Sequence, residues 1–146
     1  MNYEIVTLEE KTVVGVSTIT GNMEPDMGEK IGELWKDIYE RGIYETIQNK
    51  ANAHAIGLYS DYNGTKYCAS AAIEVSKNAN PELTAKTIPA GKYAKFSVKG
   101  NMYEAVANAW QEIWEMDLDR SFTADFEEYL NDDMENAEID IYVALK

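Results

Sequence analysis

The sequence predicts an α+β fold built from a β-α-β-β unit that occurs twice. Three observations carry this. First, Ile31, Leu34, Trp35, Ile38 and Tyr39 recur at i, i+3, i+4, i+7 and i+8, which lines them along one stripe of a helix. Second, Tyr103, Val106, Trp110, Ile113 and Trp114 form another such stripe, completed by Ala109. Third, each helix pattern is preceded by a strand-like run and followed by two more, and the aromatic landmarks keep their spacing. Trp35 and Trp110 lie 75 positions apart, while Tyr59 and Tyr129 lie 70 apart. The halves therefore superpose with a small length change between helix and strand. Neither half can bury a helix and both faces of a three-stranded sheet alone, so the two should pack as one unit over residues 1–146. Their expected extents are about 1–76 and 88–146, with antiparallel strands in a shared sheet and both helices on one side of it.

The elements follow in order. Tyr3 to Leu8 and Thr12 to Ile19 are rich in β-branched residues and read as strands. Pro25 sits where the first helix can begin and Gly42 where it can end. Ala55 to Tyr59 and Lys66 to Val75 read as strands joined by a hairpin at Asn63-Gly64. Ser76 to Thr87, with Asn78, Asn80 and Pro81, reads as the linker between halves. Pro89-Ala90-Gly91 introduces the strand Lys92 to Val98. Asn101 and Glu104 have the N-cap and N3 spacing of a capping box before the second helix. Thr123 to Leu130 and Glu138 to Leu145 close the second half across an acidic loop.

Composition excludes several functions. The net charge of −13 and pI of 4.4 argue against nucleic-acid binding, which draws on a basic face to release counterions. An acidic surface instead attracts cations over distance. Cys68 is the only cysteine and lies in an apolar-rich run, where a packed thiol is expected rather than a nucleophile. His54 is the only histidine and has no neighbour at ligand spacing, so neither a zinc site nor any cofactor is expected. Met1 to Leu8 carries Glu4 and lacks the basic and apolar regions of a signal peptide. No run approaches the roughly 18–20 apolar residues of a membrane span, so a cytoplasmic location is expected.

Several stretches together are similar to a known family. Ile88-Pro89-Ala90-Gly91-Lys92-Tyr93-Ala94-Lys95-Phe96, Gly100, Phe126-Glu127-Glu128-Tyr129-Leu130-Asn131-Asp132 and Ile139-Asp140-Ile141-Tyr142-Val143-Ala144-Leu145 carry the likeness. In order and pattern they resemble the GyrI-like, or effector-binding, domain of bacterial multidrug-responsive transcription regulators, which also occurs as a stand-alone protein. The resemblance implies two β-α-β-β halves related by a pseudo-two-fold, with a cleft between them. It implies a hydrophobic, often cationic small molecule in an aromatic-lined cleft with one acidic residue at its floor. That residue falls on Glu127. The regulators carry a helix-turn-helix before this domain, whereas here a strand pattern begins at Tyr3, so direct DNA binding is not expected.

Strand alternation sets the expected partners of Glu127. Glu127 and Tyr129 face one way, and Phe126, Glu128 and Leu130 the other. With Phe126 and Leu130 assigned to helix packing, Glu127 and Tyr129 fall on the opposite sheet face, where the cleft is expected. On the last strand Ile139, Ile141 and Val143 read as core, which leaves Tyr142 for the face of Glu127. Tyr59 joins the candidates through its match to Tyr129 in the repeat. Tyr103 opens the second helix, where it can lean over the cleft mouth. Trp35 and Trp110 are candidates whose stripes are equally those of core residues, Trp114 is a weaker one, and Tyr39 and Tyr44 are possible rim residues. A ring wall beside a carboxylate favours a cation through both charge and quadrupole.

Chemistry narrows the reading further. With a single His and a single Cys, no Ser/His/Asp or Cys/His set can be assembled, and Gly91 and Gly100 are too isolated for a phosphate loop. Carboxylate general acid/base chemistry remains, with Glu127 as its candidate. The expectation is a small-molecule binder that senses or sequesters hydrophobic, cationic compounds, with Glu127 ionised at pH 7. The alternatives are a hydrolase of reactive small molecules working through Glu127, and a gyrase-inhibitor-like module whose acidic surface meets an unknown basic protein partner.

Overall fold

Both amphipathic stripes fold as helices in the computed structural model, which describes residues 1–146. The first, α1, spans Met27–Tyr39 and buries Leu34 and Ile38. The long helix of the second half, α3, spans Met102–Glu115 and buries Ala109, Trp110 and Ile113. Its start is fixed by Asn101, whose side-chain oxygen accepts from the Tyr103 and Glu104 amides at 3.1 and 3.2 Å. Between them a single turn, α2, covers Ile43–Thr46 after Gly42, whose φ of +83° is a left-handed conformation that glycine adopts freely.

The strands are β1 Glu4–Leu8, β2 Lys11–Gly21, β3 Lys50–Asn63, β4 Lys66–Val75, β5 Thr84–Ile88, β6 Gly91–Gly100, β7 Ala124–Tyr129 and β8 Ala137–Ala144. They form one antiparallel sheet in the order β1-β6-β8-β7-β3-β4-β2-β5. The order reads the same from both ends once the halves are matched, β2 to β6, β3 to β7 and β4 to β8. The pseudo-two-fold passes between β3 and β7, where Gly57 lies opposite Glu127. The residues read as a linker contain β5, which pairs with β2, while β1 crosses to pair with β6. The two halves thus exchange their outer strands. Thr84 to Ile88 buries only Ile88 fully, so it carries little of the pattern by which a strand is recognised.

Strand exchange also bends the sheet. Leu8 lies opposite Gly91 and Lys11 opposite Ile88, and only Glu9-Glu10 and Pro89-Ala90 separate these pairs. The two sheet edges are therefore drawn together at that end, and the sheet curls into a half-barrel. Its inner face holds Val13, Ile56, Leu58, Tyr93, Phe126 and Tyr142 in one cluster. Phe126 stacks on Tyr142 with ring centroids 4.6 Å apart. The outer face carries the helices: α1 over Ala69 and Ala71, and α3 over Phe96, Ile139 and Ile141.

This arrangement corrects one expectation. The α+β class, the duplicated halves and the helices on one face are as read from the sequence, but the face of Glu127 is not. Glu127 lies opposite Ile141 and Phe126 opposite Tyr142, so Glu127 shares the helix-covered face and Tyr142 lies on the inner face with Phe126. The acidic site is thus under the helices, not on the side away from them. The cause is that both faces are apolar. Phe126 is as much a core residue as Ile141, so alternation alone does not say which face the helices cover, and a one-residue choice inverts the strand.

A polar lock closes the second half. Asp125 is fully buried; its Oδ2 accepts from Arg120 Nη2 at 2.7 Å and from the Tyr62 hydroxyl, and its Oδ1 from the Ala144 amide at 2.8 Å. Arg120 also lies over the Phe122 ring at 4.3 Å. The chain between α3 and β7 is tied by these bonds across the end of β8.

Candidate ligand-binding site

Glu127 stands at the middle of β7, where the sheet's two halves meet, and is 2% exposed. Each half sends it one tyrosine and α3 sends it a tryptophan. The Tyr59 hydroxyl of β3 and the Trp110 indole N–H of α3 donate to its Oε2 at 2.9 and 2.7 Å. The Tyr129 hydroxyl, two residues along the same strand, donates to Oε1 at 2.6 Å. Tyr59 and Tyr129 are equivalent in the repeat, so the two-fold arrangement delivers a hydroxyl to the carboxylate from either side.

The electrostatics follow from this cage. Burial pushes the Glu127 carboxyl above its ordinary value, and the bonds from Tyr129, Trp110 and Tyr59 hold it back only in part. Burial, then the charge of Glu127, lifts the hydroxyls of Tyr59 and Tyr129 well above the usual phenol range, so both remain donors. None of the chain's ion pairs involves Glu127. Its partners are all neutral.

Aromatic rings continue outward from the carboxylate along both helices. Trp35 on α1 meets Tyr129 edge-on at 5.7 Å and stacks on Tyr39, which stacks on Tyr44. On the other side Trp110 meets Tyr59 edge-on at 5.8 Å and leans on Trp114. Trp35 and Trp110 hold the equivalent helix positions that the 75-residue spacing indicated. Tyr103 is 68% exposed at the start of α3, near the Tyr129 hydroxyl, and Trp114 and Tyr39 are half-exposed. These three are the most exposed of the rings around the carboxylate.

Of the residues singled out in the sequence, the structure gathers Glu127, Tyr129, Tyr59, Trp110 and Trp35 at one place and puts Tyr103 at its rim. It does not bring Tyr142 there, because that ring faces the inner cluster, where burial raises its hydroxyl to about 12. Two neighbours escaped the sequence reading. Tyr67 of β4 packs edge-on against Tyr59 at 5.4 Å, and Gly57 faces Glu127 directly. Gly57 was legible in principle, since the 70-residue offset that matches Tyr59 with Tyr129 also matches Gly57 with Glu127. No group of three or more His, Cys, Asp or Glu side chains is placed to hold a metal ion.

Comparison with known proteins shows the family and the fold. A family model described as integron-associated effector binding protein, Cass2, matches residues 4–145. The chain belongs to that family. Among solved structures it is similar to an integron cassette protein from the mobile metagenome of Vibrio cholerae, VCH_CASS2, at 25% identity and a TM-score of 0.79, covering 99% of this chain and 95% of the other. It also shares its fold with the protein SAV2435 in complex with tetraphenylphosphonium, at 22% identity and a TM-score of 0.84, over 100% of this chain and 94% of that one. No curated protein matches the sequence. No helix in the chain is long and apolar enough to cross a membrane.

Proposed function

We propose that this effector-binding protein takes a hydrophobic, cationic small molecule over Glu127, between α1 and α3, and so senses or sequesters such compounds. One observation carries the reading: a buried carboxylate surrounded by aromatic rings and bonded only to neutral donors. A buried charge without a counter-ion is costly, and a cation that brings its own apolar shell offsets that cost without adding water. Each ring it faces adds about 0.5–2 kcal/mol of cation–π attraction. The tetraphenylphosphonium held by SAV2435 is a ligand of this chemistry. General acid/base work instead draws on a carboxyl poised to exchange its proton with substrate, whereas the three donors around Glu127 favour its ionised form.

The reading is tested with tetraphenylphosphonium and the neutral triphenylphosphine oxide, titrated against Trp fluorescence and by calorimetry. The cation is expected to bind saturably at one site, tighter than the oxide by on the order of tenfold. Equal affinities would remove the role of the charge.

A further inference from the structure

Two ring contacts of the cage are related by the pseudo-two-fold. Trp110 meets Tyr59 edge-on at 5.8 Å and 84°, and Trp35 meets Tyr129 at 5.7 Å and 80°. A third contact has no counterpart. Tyr67 of β4 lies edge-on to Tyr59 at 5.4 Å and 87°, and the 70-residue offset puts Ala137 of β8 in its place in the second half. Tyr59 is thus held between two perpendicular rings. Tyr67 is itself fixed. It is 7% exposed, its hydroxyl donates to Asn22 Oδ1 at 2.8 Å, and the same oxygen lies 3.3 Å from Sδ of Met27, the first residue of α1. Burial, then the charge of Glu127, raises that hydroxyl above its ordinary value, so it stays protonated and anchored. Asn22 belongs to the turn that leads from β2 into α1. The ring of Tyr67 therefore braces Tyr59 against that turn.

Building on the proposed binding of cations at Glu127, we infer that Tyr67 is a positioning residue of the site, which holds the Tyr59 hydroxyl in line with Oε2 of Glu127 and acts only through Tyr59. A donor kept in line favours the ionised carboxylate, and the ionised form is the one that pairs with a cation. The titratable groups around Glu127 are the hydroxyls of Tyr59, Tyr67 and Tyr129, from β3, β4 and β7. The helices α1 and α3 bring the uncharged indoles of Trp35 and Trp110. With the Tyr67 ring removed, Tyr59 is free to leave the carboxylate, and Glu127 holds its proton more tightly.

The test uses the full chain and reads the Glu127 carboxyl by carbon-13 NMR across pH, its signal assigned by absence from Glu127→Gln. Tyr59→Phe removes the hydrogen bond itself and is expected to raise the titration midpoint by about half a pH unit or more. Tyr67→Leu is expected to raise it in the same direction, and to add less than about 0.2 pH units in the Tyr59→Phe background. Below the wild-type midpoint, tetraphenylphosphonium should bind Tyr67→Leu about threefold more weakly. A midpoint unchanged by Tyr67→Leu, or an effect that adds in full to that of Tyr59→Phe, would overturn the positioning role. Circular dichroism and thermal unfolding establish that the variant is folded. If it is not, Tyr67→Phe decides in its place: it keeps the ring, gives up the Asn22 bond and is expected to raise the midpoint by a smaller step, and an unmoved midpoint would overturn the role. The midpoint is read without ligand, so failure of wild type to bind tetraphenylphosphonium would overturn the cation reading alone.

Discussion

Replacing Asp125 with Ala is expected to lower the free energy of unfolding by about 3–5 kcal/mol, the cost of breaking a buried ion pair from one side. Asp125 is fully buried and Arg120 is 15% exposed, so the guanidinium left behind would sit largely out of water without a counter-charge. The Tyr62 hydroxyl and the Ala144 amide would lose their acceptor as well. Urea unfolding should show a lower midpoint with an unchanged slope. A loss below about 1 kcal/mol would mean that water or a rearranged Arg120 takes the place of the carboxylate, and that the lock between α3 and β7 contributes little.

Glu127→Gln addresses the site itself. The substitution keeps the shape of the side chain and removes its charge, so tetraphenylphosphonium is expected to lose about 1–3 kcal/mol, or about 5- to 150-fold in affinity. Triphenylphosphine oxide should change by less than about threefold, because it has no charge to pair. Titration of both probes against both proteins gives the double difference that isolates the charge term. Parallel losses for the two probes would point to altered packing of the cage in place of a lost ion pair.

How much of this was legible in the sequence depends on the kind of signal each part leaves. Helices α1 and α3 were read from periodicity because each has one wet face, and the start of α3 from Asn101, whose side chain makes the cap it promises. The repeat was readable from the aromatic spacing because Tyr59, Tyr129, Trp35 and Trp110 converge on a single carboxylate, which constrains them together. The exchange of β1 and β5 left no local trace. It is a long-range pairing, and Thr84 to Ile88 is a short edge strand with mostly exposed side chains.

The placement of Tyr142 beside Glu127 failed for a related reason. Alternation along β7 and β8 separates two sets of side chains correctly, but it does not name the face each set occupies. In a sheet with one wet face, polarity would have settled that. Here the curled sheet buries Phe126, Tyr142 and Tyr93 inside while the helices bury Ile139 and Ile141 outside, and both sets look like core. What distinguishes the faces is the presence of hydrogen-bond donors around Glu127, and two of those three donors come from β3 and α3, outside β7.

The state of the Glu127 proton ties stability to binding. Its folded value lies above the ordinary 4.5, so between the two values the folded chain holds a proton that the unfolded chain has released. The stability contributed by Glu127 is therefore full below about pH 4.5 and is lost as pH rises through the folded value. A cation favours the ionised carboxylate, which gives binding the opposite slope: affinity rises with pH across the same window, and each binding event releases a proton within it. Above the folded value both trends level off.

Whether a caged and ionisable Glu127 is what engages a hydrophobic cation is read from the affinity of tetraphenylphosphonium as a function of pH. It is taken by calorimetry in two buffers of different ionisation enthalpy, for wild type and for Glu127→Gln. The expected result is an affinity for wild type that climbs from about pH 4.5 upward with net proton release and then reaches a plateau, beside a flatter profile for Glu127→Gln. Profiles for the two proteins that run parallel, or proton uptake on binding to wild type, would contradict it.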